Sequence, residues 1–344
     1  MTFDAIKGMK GIQMFSEIDK PVGFFDTGLP GLNYIISGNI KNGLPYGRMV
    51  ELFGLESSGK STIGYSAISR AQKAGAIPYL LDTEGAFDIS QAERCDVDPN
   101  TLMYDEPKNI DELFKKVYLV LNEVYIVRES KTPMLVVWDS VAASSLLESE
   151  KSFESNAIAQ LARRISPHVN RIMPLVINNP VTFLCINQIR MNLSGFHVTE
   201  DTPGGKTIKF YSSVRLDIRK KAEWKSKDGE QLGITSQIKC VKNKLTRPFM
   251  TTMVNIGYEH GADPVSSLFD LAITCGAAKL SGSRYKFETE SAFKDDYLHR
   301  LRTTPEYREY FETAITTHLE TAGGIVSEPP IEEEPPTAAE ESDE

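Results

Sequence analysis

Gly54-Leu-Glu-Ser-Ser-Gly59-Lys60-Ser61 is the stretch that decides the fold. It fits G-x-x-x-x-G-K-[ST], with a short apolar run (residues 49–53) before it and a helical pattern (60–74) after it, the context this motif requires. Glycine lets the backbone curl until its N–H groups converge on phosphate oxygens, and the helix starting near Lys60 adds the positive end of its dipole. Lys60 supplies a cation for the outer phosphates and Ser61 a hydroxyl for Mg²⁺. The expected ATP-binding set is Gly54, Glu56, Ser57, Ser58, Gly59, Lys60, Ser61 and Thr62.

Working outward, short apolar runs alternate with helical patterns. Residues 77–81 lead into Asp82-Thr83-Glu84, and 134–138 end at Asp139. Residues 181–186 end at Asn187-Gln188, while 111–128 carry Leu113, Val117, Val120, Leu121 and Val124 on one helical face. Fully apolar strands between helices predict an α/β fold, a mostly parallel sheet covered on both faces. Asp139 closes a strand at the sheet's C-terminal edge, where a carboxylate can hold Mg²⁺ with Ser61. Glu84, just past a neighbouring strand, is placed to orient the attacking water. These features give a P-loop ATPase without saying what ATP drives.

Beyond Gly205 the period changes, and 206–219 and 235–241 alternate apolar and polar residues as half-exposed strands do. The organisation expected is an N-terminal arm (1–23), an ATPase core (24–259), a small α+β C-terminal domain (260–320) and a disordered acidic tail (321–344). Of the net charge of −9, eight units come from the acidic residues of that tail. The rest is close to neutral, so the acidic balance does not exclude a nucleic-acid groove. Cys95, Cys185, Cys240 and Cys275 form no C-x-x-C pair and read as free thiols. With no basic n-region at the start and no apolar run near the ~20 residues of a membrane span, a cytoplasmic protein is expected.

The sequence around the phosphate loop, Phe53-Gly-Leu-Glu-Ser-Ser-Gly-Lys-Ser, resembles that of the RecA family of recombinases. So do Gly43-Leu-Pro-Tyr-Gly-Arg-Met-Val-Glu51, Leu81-Asp-Thr-Glu-Gly-Ala-Phe-Asp88, Trp138-Asp-Ser-Val-Ala-Ala143, Ile186-Asn-Gln-Ile-Arg-Met191, Gly204-Gly205, Phe210-Tyr-Ser-Ser-Val-Arg-Leu-Asp-Ile-Arg219 and Val241-Lys-Asn-Lys244, in the same order. The resemblance covers about residues 11–275. It implies a RecA-like core that hydrolyses ATP with Mg²⁺, polymerises on single-stranded DNA and exchanges strands with a homologous duplex. Single-strand-binding and loader proteins are the further partners implied, in a bacterial or phage-infected cytoplasm and with no membrane.

Roles carry over position by position. Gln188 would sense the γ-phosphate and couple it to DNA. The loop from Ile189 to Lys206 would be a DNA-binding loop, with Arg190 and Lys206 on phosphate, Gly204 and Gly205 approaching closely, and Met191, Asn192 and Leu193 among the bases. Arg163 and Arg164 would belong to the other DNA element. Lys242 and Lys244, read as alternating on one strand, would reach a neighbouring subunit's γ-phosphate. Ile12, Met14 and Phe210 would lie at subunit interfaces, and Asp88 would bond adenine.

The chain departs from the family in its short arm, in Gln91 where an aromatic stacks on adenine, and in Pro167 within a helix. Two other readings remain open on the sequence. A ring-shaped, helicase-like P-loop motor would form closed hexamers without DNA. A non-hydrolysing single-strand-binding or mediator protein would have a decayed ATPase site.

Overall fold

The computed structural model describes residues 21–144, 154–192, 199–226 and 228–321, with the backbone alone at 154–159, 191, 192 and 199. Ile12 and Met14, Leu193 and the acidic stretch 322–344 lie outside the described residues.

In chain order, β1 (Phe24–Phe25), α1 (Pro30–Ser37) and β2 (Leu44–Pro45) precede β3 (Arg48–Gly54), α2 (Lys60–Lys73), β4 (Ile77–Asp82), α3 (Ile89–Arg94) and β5 (Met103–Asp105). Then come α4 (Ile110–Asn122), β6 (Met134–Asp139), α5 (Glu154–Ile177), β7 (Val181–Gln188), β8 (Arg190–Asn192), β9 (Thr199–Asp201) and α6 (Gly205–Tyr211). The long hairpin β10 (Ser212–Lys225) and β11 (Gln231–Asn243) follows, then β12 (Thr251–Gly257), β13 (Gly261–Ala262) and α7 (Pro264–Thr274). The chain continues through β14 (Ala278–Ser281), β15 (Arg284–Phe287), β16 (Glu290–Ala292), α8 (Lys294–Thr303) and α9 (Pro305–Thr321).

Among the described residues the main sheet has nine strands in the order β13-β12-β11-β10-β3-β7-β6-β4-β5. From β10 to β5 every pair is parallel, and from β10 to β13 every pair is antiparallel. The apolar run of β6 shows why its sequence lacks alternation. Leu135 and Val137 enter one apolar cluster, with α1, α2 and α7, while Met134, Val136 and Trp138 enter the other, with α4 and α5. The α4 stripe Leu113, Val117 and Leu121 is buried in the second cluster, and Asn109 caps the helix by accepting the Glu112 N–H at 2.9 Å.

Two expectations need correction. Residues 206–211 are helix, not strand. Gly204 turns the chain at φ 90° and begins α6. Ile208 is fully buried and Tyr211 half-buried, a spacing of three that short alternation cannot be told from. Strand β11 ends at Asn243, because the Asn243 side chain accepts the N–H groups of Leu245 and Thr246 and folds the chain away; Lys244 therefore lies one residue past the strand. α5 runs through both Pro167 and Pro174.

β13 and α7, beyond residue 259, belong to the main sheet and its cover. Val265, Leu268, Phe269, Leu271 and Ala272 are buried in the first cluster, and the Gly31 N–H donates to Ser267 Oγ at 3.1 Å. The C-terminal sheet β14-β15-β16 with α8 and α9 closes around Phe311, whose ring stacks on Phe287 at 4.1 Å with Phe269 and Tyr297 nearby. Phe311→Ala is expected to cost about 3–5 kcal/mol in urea unfolding of the full chain. Among the described residues no helix is long and apolar enough to cross a membrane.

Candidate nucleotide and nucleic-acid site

The phosphate loop leaves the central strand β3 and enters α2 through two residues in left-handed conformation, Ser57 (φ 55°) and Gly59 (φ 92°). It is the backbone conformation of Gly59 that calls for glycine; a Cβ there would also meet Ile256 Cδ1 at 2.1 Å, a side-chain end that would have to shift. Lys60 is buried, and its Nζ donates to Leu55 O at 2.6 Å across the loop. Burial holds its pKa below the ordinary lysine range, with Asp139, Glu84 and Glu56 acting in the opposite sense.

Ser61 Oγ donates to Asp139 Oδ2 at 2.7 Å, bringing together two residues that are 78 apart in sequence. Burial pushes the Asp139 carboxyl up to about 6 against the Ser61 hydrogen bond, with Glu84 and Asp82 adding to the rise and Lys60 opposing it. A carboxylate in that setting gains from a nearby cation. Mg²⁺ takes a hydroxyl, one carboxylate, phosphate oxygens and water rather than a protein cage. The Ser61–Asp139 pair fits that donor set, and no cluster of three or more metal-holding side chains occurs among the described residues.

Glu84 is exposed on a turn built by Asp82. The Asp82 carboxylate accepts the N–H groups of Glu84, Gly85 and Phe87, each at 2.9 Å. Glu84 Oε1 in turn accepts from Gln188 Nε2 at 3.2 Å and from the Ser140 hydroxyl. The structure thus joins Glu84 to Gln188, the end of β7 and the start of the polar loop. Sequence reasoning missed Asp82 and Ser140 as supports; the D-x-E spacing and the Asp-Ser pair after β6 were the available signals.

Beside the loop lies a cleft of about 240 Å³, lined among others by Ser57, Thr62, Gln91, Arg94, Ile256 and Tyr258. Gln91 is one of its lining residues. The aromatic in the cleft is Tyr258, from the turn after β12 and 167 residues away, which no local pattern could have marked. Asp88 does not line the cleft; its Oδ1 caps α3 by accepting from Ser90 and Gln91.

Of the cations expected to meet DNA, Arg163 and Lys206 are exposed and Arg190 donates to Ala142 O at 3.3 Å. Arg164 differs. Its Nε reaches both Asp111 oxygens at 2.8 and 3.1 Å, and His168 Nε2 lies 2.6 Å from the same carboxylate. Arg164 therefore ties α5 to α4. Gly205 (φ 65°) packs where a Cβ would lie 2.7 Å from Ala162 Cβ on α5, so the glycine pair sets the approach of α6 to that helix. Nothing is described of the Met191 and Asn192 side chains.

Phe210 is 70% exposed, which removes a core role and leaves a large apolar ring at the surface. Lys242 Nζ donates to Lys209 O at 2.6 Å and Phe210 O at 3.1 Å, and Lys244 Nζ sits 5.9 Å from the Phe210 ring centre. The two lysines and the ring form one group at α6, despite Lys244 lying beyond the strand.

Comparison with known proteins shows which family the chain resembles. The RecA N-terminal domain family matches residues 9–263. The chain is similar to Protein RecA of Chlorobaculum tepidum, with 38% identity over 77% of this chain and 74% of the relative. It is also similar to Protein RecA of Chloroherpeton thalassium (36%; 77% and 71%) and of Corynebacterium efficiens (34%; 86% and 77%).

Proposed function

The chain belongs to the RecA family of DNA-dependent ATPases that act in recombination and repair, and from that membership we propose a reaction sequence and its residues. The protein polymerises on single-stranded DNA in the cytoplasm, pairs it with a homologous duplex and exchanges strands, with ATP hydrolysed between adjacent subunits. The observation that carries this reading is the Gln188–Glu84 hydrogen bond, which joins the expected base for hydrolysis to the root of the expected DNA loop.

In this reading the N–H groups of residues 54–62 and Lys60 neutralise the phosphates, and the cleft with Gln91 and Tyr258 serves the base, with Asp88 supporting it by capping the helix that carries Gln91. Ser61 and Asp139 would hold Mg²⁺, which supplies charge neutralisation on the outer phosphates when bound. Glu84 orients the attacking water and accepts its proton. Gln188 reads the terminal phosphate against Glu84, and its strand leads directly to Arg190 and the loop. Lys242 and Lys244 act on the phosphate of a second copy of this chain, beside the Phe210 surface. Arg163, Arg190, Lys206 and the Gly204-Gly205 backbone meet DNA.

Electron microscopy with single-stranded DNA and a slowly hydrolysed ATP analogue should show helical filaments. ATPase turnover should rise strongly with that DNA. Closed rings formed without DNA would favour a ring motor, and equal turnover with and without DNA would remove the coupling. Gly205→Ala should lower the DNA-stimulated rate while leaving nucleotide affinity intact, because left-handed backbone costs a side-chain-bearing residue about 1–2 kcal/mol and the Ala162 contact must give way.

A further inference from the structure

We infer that Asn187 is a positioning residue, a buried amide junction that ties the end of β7 to the hinge of the DNA loop. The inference rests on the reading of the phosphate site and loop given above.

Neighbouring residues of a strand point to opposite faces, and the last two of β7 divide their duties this way. Gln188 is half-buried and faces Glu84. Asn187 is fully buried, and its amide makes three hydrogen bonds to three different places. Oδ1 accepts the Gln188 backbone N–H at 3.0 Å. Nδ2 donates to Glu51 Oε1 at 2.9 Å on β3 and to Pro203 O at 2.9 Å in the loop. Both amide hydrogens are thus committed.

The three partners are not equally free to move. Glu51 is fully buried, and Arg215 Nε on β10 donates to its Oε2 at 2.5 Å while the guanidinium lies 4.5 Å over the Phe53 ring. That end is fixed by the sheet. Pro203 immediately precedes Gly204, which begins α6 in left-handed conformation, so this end is a hinge. On the β7 side, the Ile189 N–H donates to Gly54 O at 3.1 Å, which fastens the strand's exit to the phosphate loop. When Gln188 trades Glu84 for the terminal phosphate, a shift of the β7 end must carry Pro203 with it or leave a buried donor unpaired. An unpaired buried donor is destabilising, because it has lost its water without gaining a partner. The amide therefore makes the hinge follow the nucleotide.

The test compares single-strand affinity with ADP and with a slowly hydrolysed ATP analogue, in the full chain and in Asn187→Ala. The wild-type affinity ratio is expected to lie in the range of about 5–150-fold and to fall to about twofold or less in the variant. Nucleotide affinity, DNA-free ATPase turnover and affinity for DNA with ADP should stay at wild-type values. A variant that keeps the wild-type ratio overturns the inference, and so does a uniform fall in every quantity. A wild-type ratio of one would instead sink the parent reading. If Asn187→Ala does not fold, hydrogen exchange in the wild type decides. Binding of the analogue without DNA must change protection of the amides of residues 204–211, and no change there overturns the inference.

Discussion

Lys242→Ala is expected to lower DNA-stimulated ATP hydrolysis by about 10³–10⁵-fold, the range for a cation supplied in trans to a transferring phosphoryl group, while nucleotide still binds at the Lys60 loop. Its Nζ contacts are the carbonyls of Lys209 and Phe210, none of them in the phosphate loop. Burial lowers its pKa, and the Lys244 and Arg215 charges lower it further. A cation held among like charges beside an exposed aromatic ring gains from an incoming anion. Mixing separates action in trans from damage to the subunit itself. Filaments that combine Lys60→Ala and Lys242→Ala subunits should recover activity that neither has alone, since each supplies what the other lacks. Undiminished turnover by Lys242→Ala would remove the role.

Glu84→Gln is expected to slow hydrolysis by about 10²–10⁴-fold, the usual contribution of a positioned general base. The amide keeps the size of the side chain and its contacts with Gln188 and Ser140, but it cannot take a proton. Affinity for ATP should therefore be retained, and DNA complexes formed with ATP should outlast those of the wild type. Single-turnover hydrolysis measured alongside DNA dissociation checks both at once. Hydrolysis within threefold of wild type would assign the base elsewhere.

These two residues also show what was legible in the sequence and why. Glu84 was readable because the signals that mark it, the apolar strand and the D-x-E spacing, are local, although Ser140 and Gln188 reach it from far along the chain. The phosphate loop and the strands β3, β4, β6 and β7 were readable for the same reason. The surroundings of Lys242 were not, since α6 hid behind an alternating pattern that fits helix and strand equally over six residues. Tyr258 in the cleft, Arg164 on Asp111 and the Asn187 junction depend on chain segments brought together from far apart. No periodicity carries such pairings. Phe210 needed its exposure, which only the packed fold supplies.

The order of the main sheet has a consequence for how the chain is made. β3 lies between β7 and β10, so the strand that presents the phosphate loop has neither neighbour when it leaves the ribosome. The second neighbour begins about 160 residues later, which at synthesis rates of about 5–20 residues per second is a delay of roughly 8–30 s. Pairings this distant in sequence also form slowly once the chain is available. During that interval the nascent protein has no finished nucleotide site, and its apolar central strands are open to misassembly. The newborn chain is thus an aggregation risk well before it is an ATPase, and holdase protection during translation should raise its soluble yield.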